Sequence, residues 1–441
     1  MDEVARLRES ILEQVKRYYE AAHRPGQTAP FVPEESRIGY AGRVYGAEEM
    51  VNVVDAALEF WLTSGRWTAA FEEGLAAFLG LPAALAVNSG SSANLLALLA
   101  LTSPQLGDRR LERGDEVLTA ACGFPTTVSP IVQYGAVPVF VDVDAATANA
   151  DGGQLEAART PRTKAVMLAH TLGNPFDLDR VRAFCDRFGL WLVEDNCDAL
   201  GSLYRGKLTG TFGDIGTSSF YPPHHLTTGE GGAVYARDET LHGILLSLRD
   251  WGRDCHCPTG RDNCCGQRFS GQYGTLPRGY DHKYVYRHFG GNFKMTDLQA
   301  AIGCAQLKRL PDFIRKRRET FAYLRETLAD LPLRFMEPTP GSEPSWFGFL
   351  MTVEPASGKT RDGLARFLES HRIQTRPLFA GNLTRHPCFE GLKAGRDYRV
   401  AAPLVNTDRL MNDALWIGVY PGMTEAKLAF MAEKIREFFR A

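Results

Sequence analysis

From Leu85 to Glu194 the chain alternates short apolar runs with longer amphipathic stretches, and few folds accept that rhythm. Leu85 to Val87, Glu116 to Thr119, Val137 to Val141, Ala165 to Ala169 and Trp191 to Glu194 read as buried strands with no dedicated polar face. Such strands must be covered on both sides, which parallel sheets achieve with crossover helices. Ser92 to Leu101 and Asp179 to Phe188 supply helical patterns between them. The expected class is therefore α/β, a mostly parallel sheet flanked by helices. Ile215 to Phe220 and Gly232 to Ala236 should extend that sheet.

The rest of the chain divides around this core. Residues 1–80 read as a helical region, with Ile11, Leu12, Val15, Tyr18 and Tyr19 at helical spacing. Residues 81–310 form the large domain. Residues 311–441 read as a long connecting helix and a smaller α+β domain with strands near Phe347 to Val353 and Trp416 to Tyr420, and helices near Thr360 to Ser370 and Thr424 to Phe439. A long helix is expected from Thr296 towards Leu331, interrupted near Pro311. Between Arg253 and Asn292 the pattern fails, and Gly, Cys, Arg, Tyr and His accumulate. A loop of that length is usually functional or disordered.

Bulk properties exclude some partners. The 50 basic and 52 acidic residues give a formal charge of −2, with no basic stripe for nucleic acid or a membrane surface. No apolar stretch is long enough to span a bilayer, and the N-terminus has no apolar leader core. The expectation is a cytoplasmic protein, so the nine cysteines call for a reducing-compartment explanation rather than a disulfide framework.

Three motifs follow in order. Asn88-Ser89-Gly90-Ser91-Ser92 lies between a strand and a helix, where backbone N–H groups can bind a phosphate. The same residues also serve simple helix capping. Asp195 ends an apolar strand in Glu194-Asp195-Asn196-Cys197-Asp198; a carboxylate there can hold a pyridinium nitrogen protonated, or merely cap. The third is Ser218-Ser219-Phe220-Tyr221-Pro222-Pro223-His224-His225-Leu226-Thr227-Thr228-Gly229-Glu230-Gly231-Gly232.

That last segment resembles the active-site segment of the sugar aminotransferase and dehydratase family of fold-type I vitamin-B6 enzymes, and the resemblance spans almost the whole chain. In the family, the position of His224 carries the lysine that holds pyridoxal phosphate as a Schiff base. An imidazole cannot form that link. The resemblance therefore implies an untethered cofactor, pyridoxamine phosphate, with His224 keeping only the proton transfer. It also implies Gly90, Ser91 and Ser219 at the phosphate, Phe124 stacked on the pyridine ring, and Asp195 at the ring nitrogen. Asp198 would face the ring hydroxyl where aminotransferases commonly carry glutamine. Asn292 would reach the phosphate of a neighbouring subunit, which implies a homodimer. His225 is the fallback base, and Lys283 and Lys294 are the competing candidates for a covalent link. Arg385 and His386 are candidate substrate contacts from the small domain.

Cys197, Cys255, Cys257 and Cys265 follow a C-x57-C-x-C-x7-C spacing, with Cys264 as a competing ligand. Four thiolates suit zinc or an iron–sulfur cluster alike. The cysteine-rich loop, His224-His225 and Asn196-Cys197-Asp198 are similar to the iron–sulfur 4-keto-6-deoxyhexose 3-dehydrases. Membership of that branch implies a [2Fe–2S] cluster on these four residues, electrons from a reductase or ferredoxin, and removal of the carbon-3 hydroxyl from a nucleotide-linked sugar. CDP is the default nucleotide and dTDP the alternative. The rival readings are an ordinary pyridoxal-phosphate sugar aminotransferase, a redox-free dehydratase and a zinc-stabilised non-catalytic protein.

Overall fold

The computed structural model describes residues 2–440. The strands of the central sheet are β1 (Leu85–Val87), β2 (Glu116–Ala120), β3 (Val137–Val141), β4 (Thr163–Ala169), β5 (Trp191–Asp195), β6 (Ile215–Ser219) and β7 (Gly232–Ala236). A second sheet carries β8 (Leu333–Phe335), β9 (Gly348–Val353), β10 (Arg376–Pro377) and, after β11 (Arg399–Val400), β12 (Ala414–Gly418). The order in the large sheet is β1-β7-β6-β5-β4-β2-β3-β11. Its pairings are parallel except those made by β7, which runs against both neighbours. The small sheet, β8-β9-β12-β10, is antiparallel throughout.

Alternation along the strands explains why this sheet is buried on both faces. Val117 and Met167 point into one core with Leu96 and Ile131, whereas Leu118 and Val166 point into the other with Leu178 and Val181. Leu96 and Ile131 lie on two helices, α4 (Gly90–Leu101) and α5 (Pro125–Tyr134), where α1 (Glu3–Ala22), α2 (Ala47–Glu59) and α3 (Arg66–Leu79) come earlier in the chain. Leu178 and Val181 belong to α6 (Leu178–Phe188), and α7 (Glu239–Arg249) packs beside α4.

The long helix α8 (Asp297–Thr327) starts in a capping box, with Thr296 and Gln299 satisfying each other's backbone N–H groups. It runs unbroken through Pro311, contrary to the expected interruption. Its neighbours α2 and α3, and buried residues such as Phe71, Leu75 and Leu310, hold the turn that the missing N–H weakens. The boundary drawn at 310/311 thus falls inside a continuous helix. The small domain adds α9 (Arg361–Ser370) and α10 (Glu425–Arg440) over β9 and β12, around Phe349, Trp416 and Met431. Its strand β11 returns to the edge of the large sheet, a pairing that Arg399 and Val400 are too short a pattern to announce.

Residues 253–292 form the irregular segment that was expected, with one 3₁₀ turn at His282–Tyr284. Bridges from Arg253 to Tyr286 and Asp250 to Asn292 pin its base. Among the described residues no helix is long and apolar enough to cross a membrane.

Candidate active site

A cavity of about 490 Å³ opens where the strands of the large sheet end against the small domain. Ligands of open α/β sheets collect at that carboxyl edge because loops and helix starts converge there. Gly90 and Ser91 enter from α4, Phe124 from the turn after β2, Asp195, Cys197 and Asp198 from the end of β5, and Ser219 and His224 from β6 and its turn. Tyr40, Phe347, Arg376, Phe379 and Trp416 form the opposite wall. Six of the expected cofactor residues and the expected catalytic residue thus meet in one place.

The phosphate end is built by close approach. Ser89 caps α4, its hydroxyl accepting from Ser92 N–H at 3.1 Å. A Cβ on Gly90 would overlap the Ser219 side chain, so the helix start and the β6 end can touch only because residue 90 is glycine. The N–H groups of this helix start, with the hydroxyls of Ser91 and Ser219 beside them, suit a phosphate dianion.

Asp195 is locked. Its Oδ2 accepts from Asn94 Nδ2 at 2.8 Å and Thr127 Oγ1 at 2.6 Å, while Oδ1 accepts from Cys197 N–H at 3.1 Å. Thr217 Oγ1 in turn donates to Asn94 Oδ1 at 2.7 Å, which fixes the amide's orientation. Neither Asn94, Thr127 nor Thr217 could be singled out from sequence, since each is an ordinary polar residue until the fold gathers it.

His224 sits in a turn closed by Phe220 N–H to Gly231 carbonyl at 2.9 Å and Thr228 N–H to Phe220 carbonyl at 3.0 Å. Its ring leans on Phe347, with centroids 5.2 Å apart. Nδ1 is 3.5 Å from Asp198 Oδ1, too long for a firm hydrogen bond, and this buried nitrogen has no other partner. Burial, reinforced by the charge of Arg317, lowers the His224 pKa to about 4, against the opposing pull of Asp195. Burial, then repulsion from Asp195, raises the Asp198 pKa to about 8, with Arg317 opposing. At neutral pH His224 is thus an unprotonated base facing a protonated acid, and the two form no ion pair.

The fallback residues lie elsewhere. His225 Nε2 meets the Ser345 carbonyl at 2.6 Å, and the residue lines a different, small cavity. Lys294 rests over the Trp251 ring at 3.5 Å and lies 3.6 Å from Asp250, while Lys283 pairs with Asp262. No lysine is among the residues lining the large cavity. Arg385 pairs with Asp408 at 2.6 Å, and His386 Nε2 lies 2.8 Å from the Ala380 carbonyl; neither lines the cavity. The cation that does is Arg376, whose guanidinium lies 4.1 Å from the Tyr40 ring centroid. Sequence reasoning missed it, because a lone Arg on a two-residue strand carries no pattern. Asn292 is exposed and outside the cavity of its own chain.

The cysteines divide three to one. Cys255, Cys257 and Cys265 line one small cavity with His282 and Lys283, and the Cys257 and Cys265 sulfurs are 3.9 Å apart. Cys264 is exposed and does not line that cavity. Burial acts to raise the Cys257 thiol, but hydrogen bonds from the backbone of Cys265 and Cys264 and from the Cys255 side chain outweigh it and lower the pKa. Burial, with the Cys257 side chain, raises the neighbouring Cys255 thiol, so the loop thiols shift in opposite directions. Cys197, by contrast, lines the large cavity beside Asp195, and burial pushes its thiol well up. Among the described residues no group of three or more candidate ligands is arranged to hold a metal ion. The donor chemistry suits a cluster, and one small cavity gathers three of the four thiols.

Gly90, Asp195 and His224 line one cavity at the carboxyl edge of a mostly parallel sheet, and the fold is that of the fold-type I vitamin-B6 enzymes. The chain belongs to the DegT/DnrJ/EryC1/StrS aminotransferase family, whose profile matches residues 44–436. It is 53% identical over 435 residues to lipopolysaccharide biosynthesis protein RfbH of Salmonella typhimurium, covering 98% of each chain. It is 51% identical to dTDP-4-dehydro-2,6-dideoxy-D-glucose 3-dehydratase of Saccharopolyspora spinosa, covering 98% of this chain and 92% of the relative. Among solved structures, the E. coli GDP-4-keto-6-deoxy-D-mannose-3-dehydratase with bound hydrated PLP superposes with a TM-score of 0.82 at 30% identity, covering 90% of this chain and 99% of that one.

Proposed function

We propose that this protein is a cytoplasmic 3-dehydrase that removes the carbon-3 hydroxyl of a nucleotide-linked 4-keto-6-deoxyhexose, using pyridoxamine phosphate held without a covalent bond. The observation that carries this is His224, a neutral base with a free buried nitrogen at the lysine position of a cavity that no lysine lines. Relatives named as 3-dehydratases at 51% and 33% identity support the reaction class.

Bound there, the cofactor supplies an amine for the sugar's 4-keto group and a ring that accepts electrons. Gly90, Ser91 and Ser219 hold its phosphate, and Phe124 covers the ring. Asp195, fixed by Asn94 and Thr127, stays available to keep the ring nitrogen protonated. His224 takes the proton from the cofactor's methylene carbon, and its lowered pKa keeps it free to do so throughout the neutral range. Asp198, which lines the cavity 3.5 Å from His224 Nδ1, would face the ring hydroxyl. Arg376 is the cation placed for an anionic part of the substrate.

We assign Cys197, Cys255, Cys257 and Cys265 to a [2Fe–2S] cluster that receives electrons from a reductase or ferredoxin. Convergence of three of them and the lowered Cys257 thiol support this. The active form is a homodimer in which Asn292 serves the neighbouring cavity; its exposure outside its own cavity fits that role. The nucleotide is CDP by family resemblance, with the dTDP-linked 2,6-dideoxy substrate of the Saccharopolyspora relative as the alternative.

The test is anaerobic incubation of the protein with pyridoxamine phosphate, a CDP- or dTDP-4-keto-6-deoxyhexose, and reduced ferredoxin or a reductase with NADH as the electron source, with iron and sulfide analysis alongside. A product lacking the carbon-3 oxygen is expected, and borohydride should leave no lysine-bound cofactor. A 4-amino sugar formed at the expense of an amino donor would establish the aminotransferase instead.

A further inference from the structure

Arg317 lies on α8 and is only 1% exposed, a rare position for a guanidinium. Its hydrogen bonds go to carbonyls rather than to a carboxylate. Nη2 donates to the carbonyls of Pro223 at 3.3 Å and His224 at 3.1 Å. Nη1 donates to those of Trp346 at 3.1 Å and Phe347 at 3.5 Å. Nε has no partner. Neutral carbonyls compensate a buried charge only in part, so the site is costly for packing alone and a leucine or methionine would fill it more cheaply.

The geometry joins two segments that otherwise belong to different domains. Pro223 and His224 lie in the turn after β6, and Trp346 and Phe347 immediately precede β9 of the small domain. The His224 ring then leans on Phe347, the residue whose carbonyl the same arginine holds. We propose that Arg317 is a positioning residue for the cofactor-site histidine: by gripping both backbones, it fixes the His224 ring between Asp198 and Phe347. This rests on the reading of His224 as the proton-transfer group. The ionisable groups that interact with the clamp's charge are Asp198, His224 and His225, and all three bear on how it acts.

Two variants separate grip from charge. Arg317→Lys keeps a cation but presents a single nitrogen, which cannot span two pairs of carbonyls. Arg317→Met removes both. In the cofactor-saturated enzyme both should lower kcat by about 10- to 100-fold, the scale of a misplaced catalytic group. The KM for the sugar and the Kd for pyridoxamine phosphate should stay within about threefold, because ground-state binding is untouched. Histidine ring-nitrogen NMR of the cofactor-free protein, with the His224 signal assigned by its loss in His224→Gln, gives a readout besides turnover. Both variants should broaden that signal, because neither holds both pairs of carbonyls.

An unchanged kcat in either variant, or losses matching the unfolded fraction, overturns the proposal. If neither variant folds, hydrogen exchange of the wild-type protein decides: segments 221–228 and 345–348 should lose protection together, and independent opening overturns it. The His224→Gln control keeps the two readings apart. Full activity in it removes the base and this proposal with it, whereas an inactive His224→Gln beside fully active Arg317 variants removes the clamp alone.

Discussion

The cofactor cavity and the cysteine loop are built on opposite principles. In the cavity, polar groups are held by other buried groups: Asp195 by Asn94 and Thr127, Asn94 by Thr217, and the His224 turn by its own backbone. Each such bond to a charged group is worth about 1.5–3 kcal/mol, and breaking one leaves a buried partner unsatisfied. In the loop, the contacts are Arg268 with Asp281, Lys283 with Asp262, Asp254 with His282 and Arg287, and a stacked Tyr273–His282 pair. Phe269, Tyr284, Tyr286 and Phe289 are exposed on it. Surface ion pairs contribute little, so the loop lacks a core of its own. The cavity is thus held by buried, mutually satisfied polar groups, whereas the loop is held by ion pairs and ring stacking nearer the surface.

Four experiments press on that contrast. The largest effect is expected from His224→Lys. Dehydration should fall by about 10³-fold or more, the upper range for losing a positioned base. A lysine-linked cofactor should appear on borohydride treatment, detected by peptide mass. A variant that stays reversibly bound would break the positional equivalence on which the cavity reading stands.

Next, Cys257→Ser should reduce the electron-dependent step to background and strip iron and sulfide, while leaving the dehydration half intact. Treating the wild-type protein with an iron chelator under air should do the same. Equal loss of both halves would mean that the loop supports the cavity structurally, and the contrast would collapse.

A smaller effect is expected from Gly90→Ala, whose methyl would overlap the Ser219 side chain. Cofactor Kd should rise by about 10- to 100-fold, equivalent to about 1.4–2.8 kcal/mol, with iron content unchanged. Unaltered affinity in a fluorescence titration would remove the phosphate from this end.

The smallest concerns pH and stability. Asp198 has its pKa raised to about 8 from the ordinary 3.8, so its contribution is present below the unfolded value and is lost as pH rises through the folded one. His224 is lowered from 6.5 to about 4, so its contribution is present above 6.5 and lost as pH falls through 4. Asp198→Asn should therefore flatten the decline in urea midpoint of the cofactor-free protein between pH 4 and 8, by a few kcal/mol at most given the coupling of these groups. An unchanged slope would show that the Asp198 carboxyl ionises freely.

Much of this was legible beforehand. Val137–Val141 and Gly232–Ala236 fall where the apolar runs place them, and α4 and α6 begin within two residues of their expected starts. The strand end at Asp195 could be read because its apolar run stops abruptly at a polar motif, whereas the strand expected to reach Phe220 stops at Ser219. Local pattern could not reveal that α8 continues past Pro311, since the neighbouring helices, not the intrinsic preference of proline, decide that turn. Nor could it set His225, whose Nε2 meets the Ser345 carbonyl, apart from His224, whose ring lines the large cavity. Two adjacent histidines are equivalent in sequence; the turn aims one at the cavity and the other at a backbone carbonyl.

By itself the sequence determined the sheet, the order of the motifs and the absence of an amine at position 224, because apolar periodicity and side-chain chemistry are local properties. Only the tertiary structure decided which polar groups hold Asp195, that Arg376 and not Arg385 enters the cavity, and that three loop cysteines meet while Cys197 faces the cofactor site. Those outcomes depend on segments far apart in the chain reaching the same few ångströms, where burial and neighbouring charge, rather than residue type, set what each group can do.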